Sequence, residues 1–381
     1  NSGRPGPVLI DVPSDLAGAE MVFEYPDDVH IPSYKPTVKG NARQIRQAVE
    51  MMKNAKRPIL YIGGGIIASH SEEELLGVAE ALQIPVVTTL MAKSAFPSSH
   101  PLNLGHVGMH GSKYANFAVT NADLLVAVGA RFSDRVTGKL ADFAPEAKVI
   151  HVDVDPAEIG KNRIPQIPIV GDAKVVLAGM KEQLDKDGYE PKTKEWLEQI
   201  EEWRSRHPFY SPGLVALNGS ISPEGSLDLL SDMLDPENSI VTTEVGQHQM
   251  WAAQHIDREV PRTFLTSGGL GTMGFGFPAA IGAKVACPDK EVVCVAGDGS
   301  FQMNSQEMAT AAAEGINVKV LLMNNSALGM VHQWQNLFYE KRYSETLLPD
   351  MPRFVKLCDA YGWVASVFLS LKSWKKRSLG C

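Results

Sequence analysis

The run Glu291-Val292-Val293-Cys294-Val295-Ala296, closed by Gly297-Asp298-Gly299-Ser300 and followed later by Val320-Leu321-Leu322-Met323-Asn324-Asn325, decides the fold. Two short, continuously apolar runs separated by a helix-length stretch are the pattern of a parallel βαβ unit with both faces covered. Residues 307–313 read as the intervening helix. Asp298 then projects from the carboxyl edge of a sheet, where open α/β folds bind ligands. The neighbouring strand end brings the Asn325 carboxamide to the same point. One carboxylate with neutral oxygens suits Mg²⁺, which shares its shell with phosphate oxygens, and glycines beside Asp298 let backbone approach a diphosphate closely. Either half alone reads as an ordinary strand-end turn. Both together, at this spacing, point to a metal-held diphosphate.

The same alternation extends outward. Residues 239–243 and 263–265 read as further strands of this unit, and 278–285 as a helix. Upstream, helical patterns at 45–52 and 72–82 interleave with apolar runs at 59–62, 84–90, 123–128 and 149–154. The fold class is therefore α/β, with two doubly wound parallel-sheet domains. Residues 1–38 read as the end of a preceding domain (a strand at 8–12) plus a proline-bearing linker. A central domain follows at 39–185, a second linker or surface helix at 186–220, and the last domain at 221–381. Gly63-Gly64-Gly65 could cradle a phosphate or simply make a tight turn. It lacks the spacing of the dinucleotide fingerprint, and no acidic residue stands where a ribose ligand should.

Composition narrows the classes. The chain has 381 residues, 44% hydrophobic and 21% charged, with a formal charge of −8. It carries no basic patch interleaved with aromatics, so nucleic acid is not an expected partner. The cysteines, Cys287, Cys294, Cys358 and Cys381, form no C-x-x-C pair and suggest reduced thiols. No apolar run approaches the roughly 20 residues of a membrane span, and no membrane partner is expected. The start, Asn1-Ser2-Gly3-Arg4-Pro5-Gly6-Pro7, has neither an initiator Met nor a signal-peptide pattern, and reads as cut from a longer chain.

Longer strings sharpen the reading. Val245-Gly246-Gln247-His248-Gln249-Met250-Trp251, Gly271-Thr272-Met273-Gly274 and Ala327-Leu328-Gly329-Met330-Val331-His332-Gln333-Trp334-Gln335 resemble the acetolactate synthase (acetohydroxyacid synthase) family of thiamine-diphosphate enzymes. So do Gly108-Met109-His110-Gly111, the stretch 129–138, and the pairing of Gly-Asp-Gly with Asn-Asn. The resemblance runs from residue 1 to about Gly362. It implies pyrimidine-binding, FAD-binding and pyrophosphate-binding domains in that order, this chain holding the last strand of the first and most of the rest. The implied reaction is decarboxylation of pyruvate and ligation to a second 2-keto acid, pyruvate or 2-ketobutyrate, in branched-chain amino-acid biosynthesis.

The resemblance also implies residue roles. Asp298, Asn325 and the Ala327 carbonyl would ligate Mg²⁺. Gly246, Gln247, His248, Gly271, Gly297, Gly299 and Ser300 would belong to the thiamine diphosphate site, with Met273 supporting the thiazolium. Arg135, Met330, Val331 and Trp334 would line the substrate pocket. FAD, largely structural in that family, would meet Arg4, Gly63, Gly64, Met109, His110, Gly129, Ala130, Arg131, Arg135, Asp153 and Asp172. A homodimer or homotetramer, sometimes with a small regulatory subunit, in a bacterial cytoplasm or a plastid, is the implied setting.

Taken singly, these residues have plainer readings. Met330 and Trp334 at helical spacing read as core. His110 and His248 read as loop histidines, and Arg131 and Arg135 as surface charges. The family's activating glutamate lies in the pyrimidine-binding domain, so none can be assigned here, and the chain alone is expected to be inactive. Ser14 stands where a lysine is common, and the tail from Trp363 to Cys381 matches nothing in the family. A frame-shifted end would explain that tail, and a basic membrane-binding tail is a rival. Another thiamine-diphosphate carboligase or oxidase, a non-catalytic cofactor-binding remnant, and a flavin or nicotinamide oxidoreductase remain as alternatives.

Overall fold

The structure, a computed structural model, describes residues 3–29, 34–209, 213–215 and 220–368. Ten strands form two wholly parallel sheets. The first contains β1 (Pro58–Ile62), β2 (Val86–Thr88), β3 (Asn103–His106), β4 (Leu124–Val128), β5 (Lys148–Asp153) and β6 (Ile167–Val170), in the order β3-β2-β1-β4-β5-β6. The second contains β7 (Ser239–Thr243), β8 (Phe264–Thr266), β9 (Glu291–Gly297) and β10 (Lys319–Met323), in the order β10-β9-β7-β8.

Alternate residues of each strand feed opposite faces. Leu60, Ile62 and Val126 join one core of the first sheet, whereas Ile59, Tyr61, Leu125 and Ala127 join the other. In the second sheet Ile240, Cys294 and Ala296 pack on one face and Val241, Val293 and Val295 on the other. Both sheets are buried on two sides, which is why their strands read as unbroken apolar runs.

Helix starts follow local chemistry. The Asn41 side chain caps Ala42–Asn54, Asp172 caps Ala173–Asp187, and Ser222 caps Pro223–Met233, with proline at the first turn where its missing N–H costs nothing. The helix Lys194–Arg206, read from sequence as linker or surface helix, lays one face on the first sheet. Trp196 is buried there, its Nε1 donates to the Pro58 carbonyl at 3.2 Å, and Trp203 packs edge-on against it. Burying a side chain of that size contributes on the order of 3 kcal/mol.

Three expectations need correction. Residues 8–12 form no strand: Val8 and Leu9 are 85% and 94% exposed, and neither sheet pairs with them. A strand needs a ladder partner, and apolar composition alone supplies none. The run at 84–90 is strand only over β2 and then turns into a 3₁₀ helix, Leu90–Ala92. Finally, β3 and β6 were not anticipated. Both sit at sheet edges, where Pro168 of β6 is tolerated.

Several contacts join the two domains. Arg262 pairs with Glu72 at 3.0 Å and donates to the Ile67 carbonyl. Glu259 accepts from Ser99 N–H and Oγ at 3.0 and 2.7 Å, and Gln254 donates to the His110 carbonyl at 2.6 Å. Among the described residues, no helix is long and apolar enough to cross a membrane. Trp363, the first residue of the tail in which sequence reading finds no resemblance, is docked: its Nε1 donates to the Met308 carbonyl at 3.2 Å and its ring meets Phe277. The basic stretch 372–377 lies outside the described residues.

Candidate functional site

Parallel order points every strand of the second sheet the same way, so the loops after β7, β8, β9 and β10 gather at one edge. Asp298 follows β9 and is buried. Its Oδ1 accepts the Gly299 N–H at 2.8 Å, and its Oδ2 accepts those of Asn325 at 3.1 Å and Ser326 at 2.5 Å. The carboxylate thus ties the end of β9 to the loop after β10. Asn325 Oδ1 accepts the Ala327 N–H at 3.1 Å, an Asx turn that keeps its other lone pair available. The loop is held from outside by Leu328 N–H to the Thr346 carbonyl and Leu348 N–H to the Ser326 carbonyl, both at 2.8 Å.

The helix Gln247–His255 starts at the same edge, after Gly246. A Cβ on Gly329 would lie 2.2 Å from Gln247 Oε1 and 3.2 Å from Asn325 Nδ2, so these residues crowd one spot. Ser300 Oγ donates to the Val245 carbonyl at 2.7 Å, and Gln249 bridges Thr266 Oγ1 and the Ser267 carbonyl, locking β8 to the helix. His248 is buried with its ring against Gly246 and Gly297, and its Nε2 has no partner among the described residues. Burial lowers its pKa to about 4, so at neutral pH it is an uncharged hydrogen-bonding group. Met273 and Gly271 lie on the loop after β8. The Met273 methyl reaches within 3.8 Å of where a Cβ on Gly299 would stand.

The helix Gly329–Phe338 buries none of its residues, so Met330 and Trp334 are not core and Val331 is half exposed. Trp334 instead receives Arg135 from the other domain, the guanidinium carbon 5.4 Å from the ring centroid. Such contacts contribute about 0.5–2 kcal/mol.

In the first sheet the order reverses between β1 and β4, and glycines mark the crevice there. A Cβ on Gly63 would stand 2.2 Å from the Gly129 carbonyl oxygen, and Gly129 itself has φ +57°. Gly64 lies against Met91, and His151 makes a ring-nitrogen contact with the Ala130 carbonyl at 3.0 Å. Met109, Arg131 and Arg135 are exposed on the rim. His110 is held neutral first by burial and then by the Arg135 charge. Asp153, at the end of β5, has its carboxyl pKa raised by burial. Two other candidates already have partners: Asp172 caps its helix, and Arg4 pairs with Glu158 at 2.7 Å and Asp155 at 3.5 Å.

Two half-open clefts, about 310 and 450 Å³, flank the helix Gln247–His255, and neither is lined by Asp298, Asn325 or Gly63. The candidate site is instead an open rim of strand ends. Sequence reading passed over Glu244, which sits on that rim with no spacing pattern to reveal it. An all-oxygen set with a single carboxylate fits Mg²⁺. Among the described residues no group of three or more His, Cys, Asp or Glu could hold a metal ion. The glycines at 246, 297, 299 and 329 let the side chains of His248, Leu328 and Gln247 close directly on the strand ends.

Residues 45–180 match the family described as thiamine pyrophosphate enzyme, central domain, and residues 244–375 match the C-terminal thiamine pyrophosphate binding domain. The second match extends past Gly362, where the sequence resemblance was read to stop. The chain is 51% identical over 371 residues to the acetolactate synthase large subunit of Mycobacterium tuberculosis, covering 95% of this chain and 59% of that protein. It is 50% identical over 370 residues to the large subunit of Corynebacterium glutamicum, covering 96% and 58%. A probable acetolactate synthase large subunit of Methanocaldococcus jannaschii is 50% identical over 378 residues, covering 97% and 63%. The chain therefore spans about three fifths of the length of these relatives.

Proposed function

The chain belongs to the thiamine pyrophosphate enzymes, and from that premise we propose that it contributes the central and diphosphate-binding domains of an acetolactate synthase. The proposed reaction is decarboxylation of pyruvate and ligation to a second 2-keto acid, pyruvate or 2-ketobutyrate. The observation that carries it is the meeting of Asp298 with the Asn325–Ala327 loop beside the start of the helix Gln247–His255.

In this reading Asp298, Asn325 and the Ala327 carbonyl hold Mg²⁺. The diphosphate lies against Gly246, Gln247, His248, Gly271, Gly297, Gly299 and Ser300. Thiamine diphosphate, when bound, supplies a thiazolium carbon that adds to a keto carbon and accepts electrons as carbon dioxide leaves. The protein's share is placement and exclusion of water. His248, uncharged at neutral pH, offers a hydrogen bond without a competing cation. Met273 walls the ring side of Gly299. Arg135, steadied on Trp334, presents a cation to a keto-acid carboxylate, and Met330, Val331 and Trp334 make the apolar wall beside it.

FAD is proposed at the β1/β4 crevice, with Gly63, Gly64, Gly129 and Ala130 allowing close approach. Met109, His110, Arg131, Arg135 and Asp153 would form the rim, Asp172 and Arg4 contributing from their present partners. The setting proposed is a homodimer or homotetramer, with a small regulatory subunit, in a bacterial cytoplasm or a plastid.

Calorimetric titration with thiamine diphosphate and Mg²⁺ tests the site. Saturable binding that requires Mg²⁺ and weakens on the order of 100-fold, or about 2.7 kcal/mol, in Asp298→Ala is expected. Equal affinity in the parent chain and the folded variant would defeat the assignment.

A further inference from the structure

Glu244 follows β7 and is fully buried, yet no cation lies within ion-pair distance of it among the described residues. Its charge is met by backbone alone. Oε2 accepts the Gly274 N–H at 2.7 Å and Oε1 that of Phe277 at 3.0 Å; burial pushes the carboxyl pKa up, and the backbone N–H groups of residues 274–277 oppose that shift. The carboxylate therefore closes the first turn of the helix Gly276–Ala286, where donors would otherwise be orphaned and the helix dipole favours negative charge. Fit is close on the backbone side as well. A Cβ on Gly276 would stand 2.4 Å from Glu244 N, and Thr242 Oγ1 donates to the Gly276 carbonyl at 2.8 Å.

The segment anchored this way is the loop from Ser267 to Phe275. Its middle is tied by the Thr272 N–H to Ser267 Oγ at 3.0 Å, and its far end by Asn304 Nδ2 to the Gly274 carbonyl at 2.6 Å. At one end Gly268 lies against Met91 of the first domain, a Cβ there falling 2.7 Å from the Met91 sulfur. At the other end Met273 reaches toward Gly299. A fully desolvated carboxylate without a cation is an expensive way to fasten a loop. What it provides is geometry, because one rigid group takes an N–H donor on each oxygen at once.

We propose that Glu244 is a positioning residue for the thiamine diphosphate site, setting the 267–275 loop so that Met273 stands over Gly299. The proposal rests on the reading of the Asp298 edge as that site. Glu244→Gln keeps the shape but turns an NH₂ group onto N–H donors, leaving at least one of them unpaired.

The test compares the parent chain with Glu244→Gln, Glu244→Asp and Ile240→Val, the last a mild core change in the same strand. Amide hydrogen exchange read by mass spectrometry, without cofactor, should quicken in peptides covering 267–277 of Glu244→Gln and little elsewhere. Affinity for thiamine diphosphate with Mg²⁺ should fall about tenfold or more, the usual scale for a group that orients a ligand-holding residue. Glu244→Asp, which keeps the charge, should lie between Gln and parent in both readouts, and it carries the test if the Gln chain does not fold. Ile240→Val should move neither.

Unchanged exchange over 267–277 overturns the proposal, as does an affinity loss that Ile240→Val reproduces. A loosened loop with parent-like affinity overturns the role of Glu244 while leaving the site intact. If the parent itself does not bind thiamine diphosphate, the reading of the Asp298 edge falls and this role falls with it.

Discussion

At the carboxyl edge of the first sheet, chain meets chain through bare backbone, with the Cβ positions of Gly63 and Gly65 lying 2.2 and 2.5 Å from Gly129 atoms. At the corresponding edge of the second sheet, loops meet through carboxylates, Asp298 gathering three backbone N–H groups and Glu244 two more. The first edge is closed by backbone against backbone. The second is closed largely by side chains, with Gln247, His248 and Leu328 filling the space beside Gly329, Gly297 and Gly299, and its carboxylates leave no free choice of chemistry. One is broken by volume and the other by replacing an acceptor with a donor.

The largest effect should follow from volume. Gly63→Ala drives a methyl into the Gly129 carbonyl and should cost about 3 kcal/mol in the central domain. Gly299→Ala meets only the ends of Leu328 and Leu348, at 2.9 and 3.1 Å, which can turn aside. It should cost about 1 kcal/mol. Urea unfolding followed separately in each domain by hydrogen exchange reads both, and equal losses would erase the contrast.

Acid should act on both regions alike. Burial lowers the pKa of His106 in the first domain and His248 in the second to about 4, with the neighbouring Lys93 and His110 adding to the effect at His106. Each ring is neutral when folded and takes up its proton more easily when unfolded. Its stabilising contribution is therefore whole above about pH 6.5 and declines as pH falls toward about 4, by on the order of 3 kcal/mol per histidine. Chemical denaturation between those limits should show the decline. His106→Gln should flatten it in the first domain only, and an unaltered acid limb there would mean another group is responsible.

Asp172→Ala is the smallest change, expected to remove about 1 kcal/mol as a lost helix cap. FAD retention measured on the same variant sharpens the comparison. Retained flavin leaves Asp172 a cap alone, whereas flavin lost out of proportion to stability gives the first edge a side-chain ligand as well.

The inner strands β1, β4, β5, β7 and β9 were legible because burial on both faces demands continuous apolar runs, and the edge strand β10 because it is apolar along its length and runs into Asn324-Asn325. The edge strand β3, Asn-Leu-Gly-His, needs no such run, and β6 carries Pro168. The apolar run at 8–12 misled for the opposite reason, having propensity without a partner. The site was legible in its glycines and in Asp298 and Asn325, whose types follow from strand-end turns. Glu244 was not, since its partners Gly274 to Phe277 lie a strand and a loop further along.

By itself, the sequence determined most of the inner strands and the helices around 45–52, 72–82, 278–285 and 307–313, and it marked Asp298 and Asn325 as oxygen-bearing strand ends; the helices Lys113–Thr120, Ala173–Asp187, Pro223–Met233 and Gln247–His255 went unmarked. What it did mark depends on periodicity and turn chemistry within a few residues. The tertiary structure alone decided that Arg135 lies over Trp334, that Asp298 takes the Asn325 and Ser326 amides, and that Glu244 fastens the loop bearing Met273. Those meetings follow from the order β10-β9-β7-β8 and from the docking of two domains. Both depend on packing summed over whole surfaces, which no short stretch of chain contains.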